Sequence, residues 1–261
     1  MTTTIAVAGK GGVGKTTVSA MVVKHLAAAQ GPVLAIDADP SSSLNMLLGL
    51  DLESTVGDIR EGLLAQFKGQ IPEGGNPGGA SPVGISKSEY FDYEIRASLS
   101  EGMDFDLIAM GRPEGPGCYC AANNTLRQFM DKLSSQYKYV IIDNEAGMEH
   151  LSRRTTNNVD LLLVVADATP IGIITAKRIA GLAGELPITV KDIGVVWNRT
   201  DAAPEQDSQA NGMQTFGCVP ADQSVLQASM KGKSIFELDA DSPALSAVCE
   251  ILDSRLEKLK D

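Results

Sequence analysis

The stretch Ile5-Ala6-Val7-Ala8-Gly9-Lys10-Gly11-Gly12-Val13-Gly14-Lys15-Thr16-Thr17 decides the fold. An apolar run leads into a glycine-rich turn, and a helical pattern starts near Lys15. The spacing G-x-x-x-x-G-K-T is complete, and strand, loop and helix come in the order a phosphate-binding loop requires. Glycine lets the backbone turn tightly enough for successive N–H groups to face one anion. The following helix adds the positive end of its dipole. The expectation is therefore a nucleotide held by Gly11, Gly12, Val13, Gly14, Lys15, Thr16 and Thr17. Lys15 is placed to reach the β- and γ-phosphates, and the Thr16 hydroxyl to ligate Mg²⁺.

Outward from that loop, short wholly apolar runs alternate with helical stretches, the pattern of a parallel sheet covered on both faces. The runs are Val33–Ile36, 106–111, Tyr139–Ile142, Asp160–Ala166 and Ile193–Trp197. The fold class expected is α/β: a three-layer, doubly wound, mostly parallel sheet of the P-loop NTPase kind. The first helix carries Val18, Met21, Val22, His25 and Leu26 on one stripe, so His25 reads as a packed, hydrogen-bonded residue and not as a ligand. Residues 55 to 67 read as an amphipathic helix with Val56, Ile59, Leu63 and Phe67 on one face. Leu126, Phe129, Met130 and Leu133 have helical spacing behind a cap at Asn123 or Asn124. The stretch 69–84 holds six glycines and three prolines, and reads as a surface loop inside a single domain spanning 1–261.

Composition narrows the partners. The chain has 22 basic and 33 acidic residues, a net charge of −11, with no Lys/Arg run to make a basic patch. Such a chain repels nucleic acid and anionic membrane on average, so neither is expected as a partner. Met1-Thr2-Thr3-Thr4 runs directly into the first strand, which argues against a signal peptide, and no apolar run is long enough to span a bilayer. Four cysteines then read as thiols, and the cytoplasm as the compartment.

Carboxylates follow two strands. Asp37 and Asp39, in Asp37-Ala38-Asp39-Pro40, end the second strand, where binding chemistry sits in such sheets. A plainer role for Asp39 is N-cap of a Ser41–Leu48 helix. Asp143 ends the fourth run and is expected to hold a magnesium-bound water, with the Gly147 N–H offered to the γ-phosphate. Cys118-Tyr119-Cys120 has its own logic. In an extended segment residues i and i+2 face the same side, so two thiolates can meet one ion. A thiophilic divalent metal usually takes four ligands, and a two-fold axis past the pair supplies the other two. Two unconnected free thiols are the plainer alternative.

Lys10, the second lysine of the loop, makes the sequence resemble the deviant Walker A class, which contains the nitrogenase iron protein, MinD and ParA. The resemblance implies that Lys10 crosses a dimer interface to the partner's nucleotide, that Asp39 orients the attacking water and that Asp37 lies near the magnesium shell. It implies adenine recognition by Asn198, next to Arg199, and base-flanking contacts from Pro220 and Asp222 in the Phe216–Asp222 segment. G-K-G-G-V-G-K-T-T, D-A-D-P, G-C-Y-C-A-A-N-N, D-N-E-A-G-M-E-H-L-S-R and V-V-W-N-R together resemble the CooC-type accessory ATPases, over nearly the whole chain. That likeness implies an ATP/ADP- and metal-dependent homodimer, with Cys118 and Cys120 binding Ni²⁺ (Zn²⁺ also fits) across the interface. The implied client is carbon monoxide dehydrogenase, with acetyl-CoA synthase as the near alternative. A positioning ATPase like MinD or ParA, with no metal role, is the rival. An iron-protein-like electron carrier needs a cysteine in the 143–147 segment, which has none.

Overall fold

A computed structural model describes residues 2–29, 31–67, 87–111, 129–146, 158–186, 188–204 and 214–260. In chain order the elements are β1 (Thr3–Gly9), α1 (Lys15–Ala29), β2 (Val33–Asp37), α2 (Leu44–Leu48), α3 (Val56–Phe67), α4 (Lys87–Ala97), β3 (Ser100–Glu101) and β4 (Phe105–Ala109). A helix α5, described over 129–134, precedes β5 (Tyr139–Asp143), β6 (Asn158–Ala166), α6 (Pro170–Glu185), β7 (Thr189–Asn198) and β8 (Gln214–Val219). The chain closes with α7 (Gln223–Met230), a 3-10 turn (Ile235–Glu237) and α8 (Pro243–Lys258).

The strands form one sheet in the order β3-β4-β2-β5-β1-β6-β7-β8. Among the described residues all pairings are parallel except β3 with β4. The apolar strands divide by the period of two. Ile5, Val7, Leu161, Leu163 and Val165 enter one core with α1, α2, α7 and α8. Ala6, Ala8, Leu162, Val164 and Ala166 enter the other, with α6 and Phe129, Met130 and Leu133 of α5. Three layers result, and the unbroken apolar runs are explained because both faces of each strand are covered.

β1 lies centrally, paired with β5 on one side and β6 on the other. The chain leaves it for β2 in one direction and takes up β6 in the other, so its carboxyl end is a topological switch point. The loop after β1 opens there, flanked by the ends of β2, β5 and β7.

Local caps follow the sequence. Thr169 precedes α6, accepts from the Gly172 N–H at 3.1 Å, and is followed by Pro170 in the first turn, where a missing N–H is harmless. Three features differ from expectation. The helix after Asp39 is only Leu44–Leu48, its N-cap position is Ser43, and the carboxylate serving its first N–H is Asp37, not Asp39. α1 is buried beyond one stripe, since Ser19, Ala20 and Val23 are as enclosed as Val18 and Val22. β3, α4, α7 and the 3-10 turn were not expected from the sequence, although Asp222 caps α7 and Ser234 with Glu237 forms a capping box at the 3-10 turn. Leu63, Phe67, Leu126, the Asn123/Asn124 cap and the 69–84 loop lie outside what is described of side chains or backbone.

Candidate nucleotide site

The site is built on the switch point. α1 begins at Lys15 with no acidic residue in its first turn, so its N-terminus is left for an external anion. Lys15 is 7% exposed, and its ammonium donates to the Lys10 carbonyl at 3.3 Å across the loop. The Lys10 side chain is exposed. A cleft of about 400 Å³ opens over this loop, lined among others by Gly14, Thr16, Asp39 and Glu145. A second cleft, about 450 Å³, adjoins it between α1, the end of β7 and α7, with Thr17, Met21, Asn198, Pro220 and Leu226 on its walls. One polar and one part-apolar hollow side by side suit phosphates and a flat base.

Two carboxylates stand at the ends of adjacent strands, Asp37 directly opposite Asp143 in the register. Both are 1% exposed, yet they do different work. Asp37 accepts from the N–H groups of Asp39 at 3.0 Å and Leu44 at 2.9 Å, one on each oxygen, so it holds the turn that presents Asp39. Burial, reinforced by the charge of Asp143, pushes Asp37 up to about 7 despite those two bonds. Asp143 accepts from the Ser19 hydroxyl at 2.8 Å through one oxygen, while the other is buried with no hydrogen-bond partner. Burial pushes it up to about 6, against the pull of the Thr16 and Ser19 hydroxyls and of Lys15. A buried, unpartnered carboxylate oxygen near a P-loop threonine fits Mg²⁺, with Thr16 and Asp143 as the residues to hold it. A bound Mg²⁺ supplies charge neutralisation on the β- and γ-phosphate oxygens. Asp39 faces the phosphate cleft, its carboxylate accepting from the Ser41 N–H at 2.9 Å.

On the base side, Asn198 is 8% exposed; its amide donates to the Val13 carbonyl at 2.7 Å and accepts from the Arg199 N–H at 3.0 Å. Arg199, in a left-handed conformation at φ 60°, donates to the Gly12 carbonyl at 3.3 Å. Asp222 lines the cleft, but its carboxylate is committed to protein donors. It caps α7 through the Ser224 N–H at 2.8 Å and also accepts from Ser242 Oγ at 2.6 Å and the Ala244 N–H at 3.2 Å, joining α7 to α8. Ser19 was missed in the sequence; its signal is a third hydroxyl, one turn after Lys15 and beyond Thr16 and Thr17, among the apolar residues of α1. Gly147, Cys118 and Cys120 lie outside the described residues. Among the described residues, no group of three or more His, Cys, Asp or Glu side chains is placed to hold a metal ion.

Fold and loop together define a P-loop nucleotide-binding protein. The chain belongs to the family described as CobQ/CobB/MinD/ParA nucleotide binding domain, which matches residues 4–235. It is similar to an uncharacterized ATP-binding protein of Methanocaldococcus jannaschii, 42% identical and covering 97% of this chain and 98% of that one. It is also similar to the carbon monoxide dehydrogenase accessory protein CooC of Rhodospirillum rubrum, 31% identical over 92% of this chain and 90% of that one. Among solved structures it resembles MinD of Pyrococcus horikoshii OT3 complexed with Mg-ADP, with a TM-score of 0.69 and 17% identity, covering 100% of this chain and 98% of that one. A ParA family ATPase from Chlorobium tepidum TLS has the same fold, at a TM-score of 0.69 and 18% identity over 96% and 98% of the two chains. The chain is thus an ATPase of the MinD/ParA/CooC family. Among the described residues, no helix is long and apolar enough to cross a membrane.

Proposed function

We propose that the chain is an ATP-driven nickel-handling protein of the cytoplasm that works as a homodimer. Each protomer contributes Cys118 and Cys120 to a shared site for Ni²⁺, or Zn²⁺, and the ion is cargo bound for a nickel enzyme, carbon monoxide dehydrogenase. The observation that carries this reading is the near full-length similarity to the CooC protein in a chain that itself has a Cys-x-Cys pair. Nucleotide lies in the paired clefts, with Lys15 and the loop N–H groups on phosphate, Thr16 and Asp143 toward Mg²⁺, Asp39 toward the attacking water, and Asn198 and Pro220 beside the base. Lys10, exposed on the loop, reaches the partner's nucleotide, so that hydrolysis requires two copies. If metal and ATP both prefer the closed dimer, each raises the other's affinity by the same factor, and hydrolysis weakens the metal site.

The test uses nickel-free carbon monoxide dehydrogenase under limiting Ni²⁺. With this chain and ATP, CO oxidation activity should rise well above that with nickel alone; Cys118→Ala/Cys120→Ala and a non-hydrolysable ATP analogue should each remove the gain. No gain for the wild-type chain contradicts the client. A gain with nickel-free acetyl-CoA synthase instead reassigns it. The resemblance in fold to MinD and ParA supports one other reading, a positioning ATPase without metal, for which ATP-dependent sedimentation with liposomes or retention on DNA is the sign.

A further inference from the structure

Consecutive residues at the end of β7 seize consecutive carbonyls of the phosphate-binding loop. Asn198 Nδ2 donates to Val13 O at 2.7 Å, and Arg199 Nη1 donates to Gly12 O at 3.3 Å. Neighbouring residues of an extended strand point to opposite faces, so two such contacts on one loop need a break in the strand. Arg199 supplies it: it is one of only three non-glycine residues with positive φ among those described. The fit at the loop is close. A Cβ placed on Gly14 would stand 2.4 Å from Asn198 Nδ2, in a backbone with φ of 95°.

The carbonyls matter because a trans peptide is a rigid plane whose N–H points away from its own C=O. Holding Val13 O toward Asn198 turns the Gly14 N–H the other way, while Arg199 fixes the Gly12–Val13 peptide, whose N–H closes the turn on the Lys10 carbonyl at 3.5 Å. Gly12, Gly14 and Arg199 all line the phosphate cleft. We propose that Asn198 and Arg199 form a clamp that preorganises the loop for phosphate, and that Arg199 is a positioning residue acting through Gly12. The inference rests on the nucleotide reading of the two clefts and deepens it. Asn198 keeps one further amide hydrogen and one further oxygen lone pair, so the amide that steadies the loop is also free to read a base. Base occupancy and loop geometry are thereby joined through one side chain.

The experiment measures binding of Mg·ATP and of Mg·tripolyphosphate, which has no base, by the fluorescence of the single tryptophan, Trp197, adjacent to Asn198. Isothermal titration provides the second readout. Arg199→Ala should weaken both ligands by the same factor, about tenfold, the loss of one hydrogen bond to an oriented loop. Arg199→Gln, a neutral donor, should recover most of both. Loss for ATP alone makes Arg199 a base or ribose contact and overturns the clamp. Equal loss without rescue by Gln makes it a direct charge contact with phosphate and also overturns it, as does no loss at all. Circular dichroism and thermal midpoints confirm that each variant is folded, Arg199 being at the surface. Wild-type protein binding neither ligand would instead refute the nucleotide site itself, an outcome distinct from failure of the clamp.

Discussion

Lys10 and Lys15 sit five residues apart on one loop, and their surroundings separate their roles. Lys15 is enclosed and bonded back to the loop, ready to meet phosphate, whereas the Lys10 side chain is exposed. If Lys10 acts on the partner's nucleotide, Lys10→Ala should lower ATP turnover by about a thousandfold or more while nucleotide affinity stays near wild type. Phosphate release assays and Trp197 fluorescence measure the two separately, and unchanged turnover refutes the role. His25 is the other charged residue the structure clarifies. It is hydrogen-bonded as expected, to Asp253 at 2.7 Å, but at the rim of the core. The Cys249 side chain, then Asp253, raise it from its ordinary value to about 9, against desolvation. A group whose pKa is raised on folding stabilises fully below its unfolded value and loses that contribution as pH climbs through the folded one. The thermal midpoint should therefore fall between about pH 6.5 and 9, and His25→Gln should flatten that slope.

At the scale of elements, the joint between α7 and α8 hangs on Asp222. Burial acts to raise its pKa, yet the hydroxyls of Ser224 and Ser242 and the N–H groups of Ala244 and Ser224 together hold it down at about 2. That stabilisation is present above the ordinary carboxylate range and is lost as pH falls toward about 2. Asp222→Ala should lower unfolding free energy by about 1 kcal/mol, the usual loss of a helix cap, in urea titrations, with ATP affinity changed by less than about twofold. A large affinity loss would return Asp222 to the base. Trp197 is fully buried, its Nε1–H donating to Thr215 Oγ1 at 3.1 Å. Trp197→Ala should cost about 3–5 kcal/mol, read from the same titrations.

The central strands were legible because apolar runs bounded by glycine and aspartate leave few alternatives. The loop was legible because its spacing is rarely met without its chemistry. β3 was not: a two-residue antiparallel edge has no period to read. α4 and α7 were overlooked rather than illegible: Lys87–Ala97 has Glu89 in its first turn and Arg96 in its last, and Gln223–Met230 follows the cap Asp222, but each is short. Asp37 was legible only in part: a carboxylate at a strand end looks the same in sequence whether or not it also accepts from backbone N–H groups, as Asp37 does beside Asp143.

At the scale of the whole molecule, the acidic balance of the chain sets it against DNA and anionic lipid, despite the fold it has in common with ParA and MinD. Retention on neither should be detectable at physiological salt, with or without ATP. The account instead requires that two copies meet on nucleotide and that their meeting creates a thiolate site neither has alone. The direct test is an anaerobic Ni²⁺ titration followed by sedimentation velocity, with and without ATP, on wild type and Cys118→Ala/Cys120→Ala. The account predicts one nickel for every two chains in a dimer that ATP strengthens. In the double variant the metal should be lost while ATP still binds. Nickel held by monomers, or held equally well without the two cysteines, would contradict it.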